Sequence, residues 1–315
     1  MITIEGYSGC HVSVERNNTG AYLVKKSCSP SYTPRLIKQK DKQIKARKSL
    51  NIQGICIPEV LYGHPSEDGG YTIGMNFYHH HDAVTYISSC EAKRIRELSN
   101  LILTFFRRSI DLCVEEGIPQ PLPTEVITAK IQDVVRVLGE NSVICGMEAE
   151  EGMIEYVRNT VAPTLIKILK INSDERGCIY VPMGHCHGDL TLSNILLSEG
   201  DGDSELTVVL IDFLDSFVES PLADLAKLFQ DLRYGWTMRL LLSEKSTQLC
   251  PLSVFTAMEY IKQQIETEFS HLSWFKSFHG VFLVLNQLRV LQYSKDIGAA
   301  KYLFQTVRSE MATLT

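Results

Sequence analysis

The residues best suited to chemistry are concentrated in one stretch. It reads His185-Cys186-His187-Gly188-Asp189-Leu190-Thr191-Leu192-Ser193-Asn194, then Ile195-Leu196-Leu197, an acidic, Gly-rich turn from Glu199 to Ser204, the run Leu206 to Ile211, and Asp212-Phe213. Two apolar runs around a polar turn predict an antiparallel hairpin. A turn centred near residue 203 sets Asn194 opposite Asp212 at the open end. An amide oxygen and a carboxylate meeting there are hard oxygen donors, suited to Mg²⁺ carrying substrate phosphates. Asp189, five residues before Asn194, is a third polar group aimed at the same place.

Two textures of chain must position this hairpin. From Met1 to about Phe77 the pattern is short strands and turns: Ile2 to Ile4, alternation around Val12 and Val14, the turn Asn17-Asn18-Thr19-Gly20, and a returning strand from Ala21 to Lys25. Pro34 opens a helix from Arg35 to Leu50, and Pro58 to Leu61 and Tyr71 to Phe77 read as two more strands. Beyond Asp82 the chain is helical: Ile95, Leu98, Ile102 and Phe105 recur at helix spacing, and further helices are expected over 123–139, 148–172, 221–242, 252–270 and 275–293. The expected division is a lobe over 1–78 and a second over 79–315.

Composition sets the outer bounds. A chain of 315 residues suits two lobes, and 44% hydrophobic with 22% charged residues excludes wholesale disorder. Thirty-one basic against 37 acidic residues give a net charge of −6, which argues against a protein that coats nucleic acid or anionic membrane. No apolar run approaches the ~18 residues of a membrane helix, and Met1 to Glu5 shows no secretion signal. Nine scattered cysteines lack a framework spacing, so reduced thiols in a cytoplasm are expected.

His187-Gly188-Asp189, four residues, Asn194, then Ile211-Asp212-Phe213 resembles the catalytic core of the aminoglycoside phosphotransferase and choline kinase group. These are small-molecule members of the protein-kinase-like fold: an α+β architecture with a small antiparallel lobe bearing one helix and a mostly helical lobe. The resemblance implies that Asp189 is the catalytic base, that Asn194 and Asp212 bind Mg²⁺, and that His187 braces the loop. Ser220-Pro221-Leu222-Ala223-Asp224-Leu225-Ala226 resembles the helix start of that group, with Asp224 holding the loop backbone. Gly6-Tyr7-Ser8-Gly9 sits where a phosphate-covering turn belongs, which makes Gly6, Ser8 and Gly9 candidates to bind ATP or GTP. Lys25 resembles the phosphate-pairing lysine, with Lys26 the alternative if the register slips by one. The group places a glutamate on the next helix. Here Gln39 and Gln43 are the candidates, and Gln43 is counted in the nucleotide set. Asn76 and Phe77 fall at the hinge that would meet a purine.

The expected partner is a small-molecule acceptor, a sugar or sugar derivative, with neither nucleic acid nor membrane. Asp215, Asp231, Arg233, Tyr234 and Trp236 are the candidate lining residues, the aromatics for stacking on a ring and the acids for hydroxyls or an amine. Asp215 and Asp231 against Arg233 form a nearly balanced set, which favours a neutral or singly charged acceptor over a polycation. A protein kinase is disfavoured: no Ala-Pro-Glu follows Asp212, and Ser220-Pro221 comes too soon to leave an activation loop. The missing helix glutamate motivates a competing reading, a catalytically silent nucleotide-binding protein on the same fold. The basic run Arg35, Lys38, Lys40, Lys42, Lys45, Arg47 and Lys48 reads as a solvated helix face, and His79 to Asp82 as a polar loop.

Overall fold

The computed structural model describes residues 2–4, 10–16, 20–114, 118–199, 205–243 and 250–314. The chain opens with β1 (Ile2–Ile4), β2 (Cys10–Arg16) and β3 (Tyr22–Cys28), followed by helix α1 (Thr33–Ser49), β4 (Ile55–Cys56), β5 (Val60–Pro65) and β6 (Tyr71–Asn76). Five of these strands form one antiparallel sheet in the order β1-β2-β3-β6-β5. Its inner face is small and apolar: Cys10, Tyr71, Ile73 and Met75 pack with Val24 and Cys28 against Leu36 of α1. The buried stripe of α1 is Leu36, Gln39, Gln43 and Ala46, at the three- and four-residue steps that share a helix face. Two of its four members are amides, which need buried partners.

Beyond the sheet come β7 (His81–Asp82), α2 (Ala83–Ile87), α3 (Ala92–Asp111), β8 (Gln120–Pro123), α4 (Thr124–Leu138), α5 (Ser142–Glu151), α6 (Met153–Tyr156), α7 (Ala162–Ile171) and β9 (Cys178–Val181). The last third holds β10 (Ile195–Glu199), β11 (Leu206–Leu210), α8 (Pro221–Tyr234), α9 (Trp236–Ser243), α10 (Pro251–Phe269), α11 (Ser273–Leu291) and α12 (Ile297–Leu314). A single large core joins these helices, and α11 runs through its centre with Val281 to Leu285 all buried. Among the described residues no helix is long and apolar enough to cross a membrane.

Several elements depart from the expected pattern. The helix expected over 148–172 is three pieces and a π turn, because Gly152 takes a left-handed φ of 57° and the ladder slips over Val157–Val161. The helix expected over 221–242 breaks at Gly235, φ 63°. The final helix α12 escapes the sequence reading, although Ala300, Leu303, Phe304 and Val307 repeat at helix spacing and are buried. His81 and Asp82 are not loop: they pair with Leu197 and Leu196, and Asp82 caps α2 through the Thr85 N–H. The second sheet, β4-β11-β10-β7, therefore draws β4 from within the first 78 residues, with Ile55 and Cys56 parallel to Val208 and Val209.

Candidate active site

The hairpin forms one residue out of the expected register. Ile195 faces Leu210 and Glu199 faces Leu206, so Asn194 lies opposite Ile211, whose N–H donates to the Asn194 carbonyl at 3.0 Å. Asp212 lies one residue past that pair. It is the only non-glycine with positive φ among the described residues, at 61°. Left-handed backbone at an aspartate is costly and is held by the surroundings. Phe213 behind it packs on the His187 ring at 4.2 Å, and the Leu214 N–H donates to the His187 carbonyl at 3.0 Å.

That crossing explains Gly188. A Cβ there would lie 2.0 Å from the Leu214 carbonyl oxygen, and its φ of 93° already disfavours a side chain. His187 is fully buried, accepts the Asp189 N–H at Nδ1 and donates its Nε2–H to the Ile211 carbonyl at 2.7 Å, and is held neutral by burial, which lowers its pKa to about 4.

Helix α8 grips the loop from one face. Ser220 caps it, accepting from the Leu222 N–H and donating to the Pro182 carbonyl, and Pro221 stands at its first position. Asp224 in the first turn accepts from the backbone N–H groups of His187 and Gly188. Burial pushes its carboxyl up to about 7, against Lys42 and those two donors. Lys227, one turn on, places its ammonium 2.9 Å from Asp189. Asp231, another turn on, accepts from the Leu192 N–H at 2.7 Å and from both the N–H and hydroxyl of Thr237. Burial works to raise the Asp189 pKa, but Lys227, His187 and Arg289 outweigh it and hold the carboxyl below its usual value. Asn194 turns its Nδ2 to the Asp189 carbonyl at 2.8 Å, and its side-chain oxygen has no hydrogen-bond donor among the described residues.

The first lobe adds Lys26, not Lys25. Val24 and Cys28 face the apolar side of the sheet, so Lys26 between them shares that side by strand alternation. Its Nζ reaches Asp212 Oδ1 at 2.7 Å and Gln39 Oε1 at 3.3 Å. Lys25 lies on the other face, 3.6 Å from Glu15. Gln39 rather than Gln43 thus stands at the helix position facing the lysine. Gln43 donates to the Pro58 carbonyl at 2.7 Å and touches Met75. Asn76 has its N–H committed to the Glu59 carbonyl, and the Phe77 ring sits beside Tyr22 and His79. Gly6, Ser8 and Gly9 lie outside the described residues.

The acceptor-lining expectations are redistributed. Asp231 is a buried scaffold group, as above. Arg233 and Tyr234 both bind Glu310 of α12, at 3.0 and 2.5 Å, and Trp236 stacks on Tyr302 at 6.4 Å, so these three face α12. Asp215 is partly exposed, 3.7 Å from Lys38 of α1. Lys42, expected in solvent, is half-buried and joins α1 to the segment after Asp212, donating to the Leu214 carbonyl at 2.8 Å and pairing with Glu219 at 2.7 Å. Lys227 and Asp231 were legible in principle, since 224, 227 and 231 repeat at one-face helix spacing from the recognised Asp224. Lys42 had no sequence signal separating it from its solvated neighbours.

Comparison with known proteins agrees with this geometry. Residues 156–263, which contain the loop, the hairpin and α8, match the family described as APH, Phosphotransferase enzyme family. Among curated proteins no sequence match is found. Similar solved structures include the GDP and kanamycin complex of APH(2″)-IIia, with a TM-score of 0.61 at 13% identity over 99% of this chain and 93% of that one. A ternary complex of a thermostable APH(4)-Ia mutant with ADP and hygromycin B gives 0.62 at 11%, over 99% and 93%. A putative fructosamine-3-kinase from Thermobifida fusca gives 0.58 at 12%, over 99% and 93%. The fold is the protein-kinase-like α+β fold of these enzymes. The match to the phosphotransferase family thus covers the segment that carries the loop, the hairpin and α8, and the whole chain shares the fold of these solved structures.

Proposed function

We propose that the protein transfers the γ-phosphoryl group of ATP or GTP to a hydroxyl of a sugar or sugar-derived small molecule. The observation that carries this reading is Asp189: a carboxylate kept ionised beside Lys227, on a loop whose backbone α8 holds at His187, Gly188 and Leu192. An ionised, positioned carboxylate can orient an acceptor hydroxyl and accept its proton. Similar structures are described with ADP or GDP and an aminoglycoside, which supports a nucleotide in the cleft.

The side-chain oxygen of Asn194 and the Asp212 carboxylate are hard donors that fit Mg²⁺, and these two residues would hold it. Bound there, Mg²⁺ would neutralise charge on the phosphates. Lys26 would add a fixed cation for the phosphate oxygens, with Gln39 orienting its ammonium without neutralising it. His187 holds the turn under Asp212 and Asp224 holds the loop, so the reacting groups meet in a preset arrangement.

The test is ADP release by purified protein with Mg-ATP against monosaccharides, aminoglycosides, choline and amino-alcohols. Asp189→Asn is expected to lower turnover at least ~100-fold while leaving nucleotide binding intact. Full turnover in that variant would overturn the assignment. A neutral Gln39 beside Lys26 favours a second reading, a silent nucleotide-binding protein. It predicts thermal stabilisation by Mg-ATP with no ADP release against any acceptor.

A further inference from the structure

We propose that the acceptor carries an acidic group, a carboxylate or phosphate, and that Arg289 receives it. The proposal rests on the kinase reading above and specifies the acceptor. Arg289 lies in the last turn of α11, with its guanidinium carbon 4.8 Å over the Phe217 ring. Phe217 belongs to the segment that leaves Asp212, and its ring also stacks on Phe282 at 6.3 Å. The arginine is therefore fixed on a packed aromatic at the edge of the catalytic segment, half out of water.

Arg289, like Arg35 with its Tyr32 ring, differs in its pairing from the cations that tie the catalytic segment together. Lys26 has Asp212, Lys42 has Glu219, Lys227 has Asp189 and Arg233 has Glu310, whereas Arg289 has no hydrogen-bond or ion-pair partner among the described residues. A guanidinium offers five donors in a planar fork that matches a carboxylate or phosphate. Its donors are not among the buried unpartnered atoms, so solvent reaches them, and an incoming anion would replace that water and satisfy them bidentately.

The surroundings select the same class. Arg289 and Asp189 lie close enough to act on each other electrostatically, and Arg35 adds like charge around Arg289. The remaining carboxylate of the acceptor-lining expectation, Asp215, is already beside Lys38. A polycationic acceptor would meet Lys227, Arg289 and Arg35 with Asp189 already paired. A neutral polyol would leave Arg289 as it stands. A hydroxy acid or phosphorylated polyol would fill the fork and set its hydroxyl at Asp189. In the transfer, the acceptor oxygen bonds the γ-phosphorus, the bond from that phosphorus to the β–γ bridging oxygen breaks, ADP leaves, and Asp189 takes the hydroxyl proton. The acidic group takes no part in bond changes.

The experiment uses the full chain with saturating Mg-ATP and matched acceptors: gluconate against glucitol, glycerate against glycerol, and kanamycin as the cationic control. ADP release is expected with an acidic member. Arg289→Met should raise its KM on the order of 100-fold, leaving the KM for ATP within about twofold, and Arg289→Lys should recover part of the loss. Thermal stabilisation by gluconate or glycerate without nucleotide, lost in Arg289→Met, is the binding readout independent of turnover. Equal or better kcat/KM for the neutral member or kanamycin, with Arg289→Met unaffected, overturns the proposal. A rise confined to the KM for ATP also overturns it, by assigning Arg289 to the nucleotide's own terminal phosphate. Stabilisation by gluconate or glycerate through Arg289 without ADP release from any acceptor would instead sink the kinase reading and leave the anion site standing. Absence of both signals, in a wild-type chain that Mg-ATP stabilises, refutes the anion site.

Discussion

At the scale of the residue, two neighbours on β3 separate sharply. Lys26 is buried against Asp212 and Gln39, whereas Lys25 shares a partly exposed pair with Glu15. Lys26→Met is therefore expected to lower nucleotide-dependent turnover by about 100-fold or more, in the range lost when one preorganised charge is removed. Lys25→Met should stay within about twofold, because a half-exposed pair contributes little. Parallel steady-state assays decide it, and equal losses would mean that the strand register is wrong. Gly188 provides the second test. An alanine there adds a methyl group 2.0 Å from the Leu214 oxygen at a φ of 93°. The expected cost is roughly 2–4 kcal/mol, read from the urea midpoint, since the strain and the clash have no flexible neighbour to absorb them.

At the scale of the element, α8 works as a rack. Asp224, Lys227 and Asp231 are spaced along one face and engage the loop at its start, at Asp189 and at its far end. Positioning of Asp189 is thus a property of one rigid helix rather than of the loop, which suits the proposed transfer, a reaction governed by placement. Asp231→Asn would turn an NH₂ group toward backbone donors from Leu192 and Thr237 that now have an acceptor. A stability loss of roughly 1–3 kcal/mol is expected from the unsatisfied donor, together with reduced turnover although Asp189, Asn194 and Asp212 are untouched. A variant with a native melting temperature and full activity would show that Asp224 alone secures the loop. On the opposite side, Lys42 ties α1 to the segment after Asp212, so the helix bearing Gln39 and the site's acidic end are joined directly.

At the scale of the whole molecule, buried histidines cost stability in acid. His279 sits between Phe229 and Phe275 in the core, and burial lowers its pKa to about 3, with Arg233 adding to the effect and the Leu225 carbonyl opposing it. The unfolded chain, with an ordinary histidine near 6.5, binds one proton more than the folded chain between that value and about 3. The favourable neutral state is complete above about 6.5, and stability falls as pH drops through the window. His187 acts in the same sense down to about 4. Asp224, raised to about 7, acts in the opposite sense between its ordinary 3.8 and that value, because the folded state then holds the extra proton. Asp231, also raised by burial, acts with Asp224, so the two histidines supply a loss of stability in acid that two buried carboxyls oppose. His279→Asn keeps a donor for the Leu225 carbonyl and removes the titration, so between pH 4 and 6 the stability curve should flatten by up to ~1.4 kcal/mol per pH unit. The cavity cost is independent of pH, so the slope is the diagnostic quantity, and an unchanged slope would show that His279 is not buried neutral.

What the sequence determined by itself was local in origin. The hairpin, the order of Asp189, Asn194 and Asp212, the cap at Ser220-Pro221 and the alternation of the first strands all follow from neighbours within a few residues, where period and turn chemistry act directly. The tertiary structure decided what depends on contacts between distant segments. The register slip that puts Asn194 opposite Ile211 is absorbed by the left-handed turn at Asp212, which Phe213 and His187 lock from across the loop. The choice of Lys26 over Lys25 was ambiguous because Leu23 and Val24 are both apolar, and only the packing of α1 says which face is the inside. Arg233, Tyr234 and Trp236 look free to meet a ligand until α12 arrives with Glu310 and Tyr302. Asp231 likewise reads as cleft-lining until the loop folds over it, and Lys42 and Arg289 read as ordinary surface cations. A side chain's charge is written in the chain, but whether it meets water, a partner or a ligand depends on which remote helix the fold brings beside it.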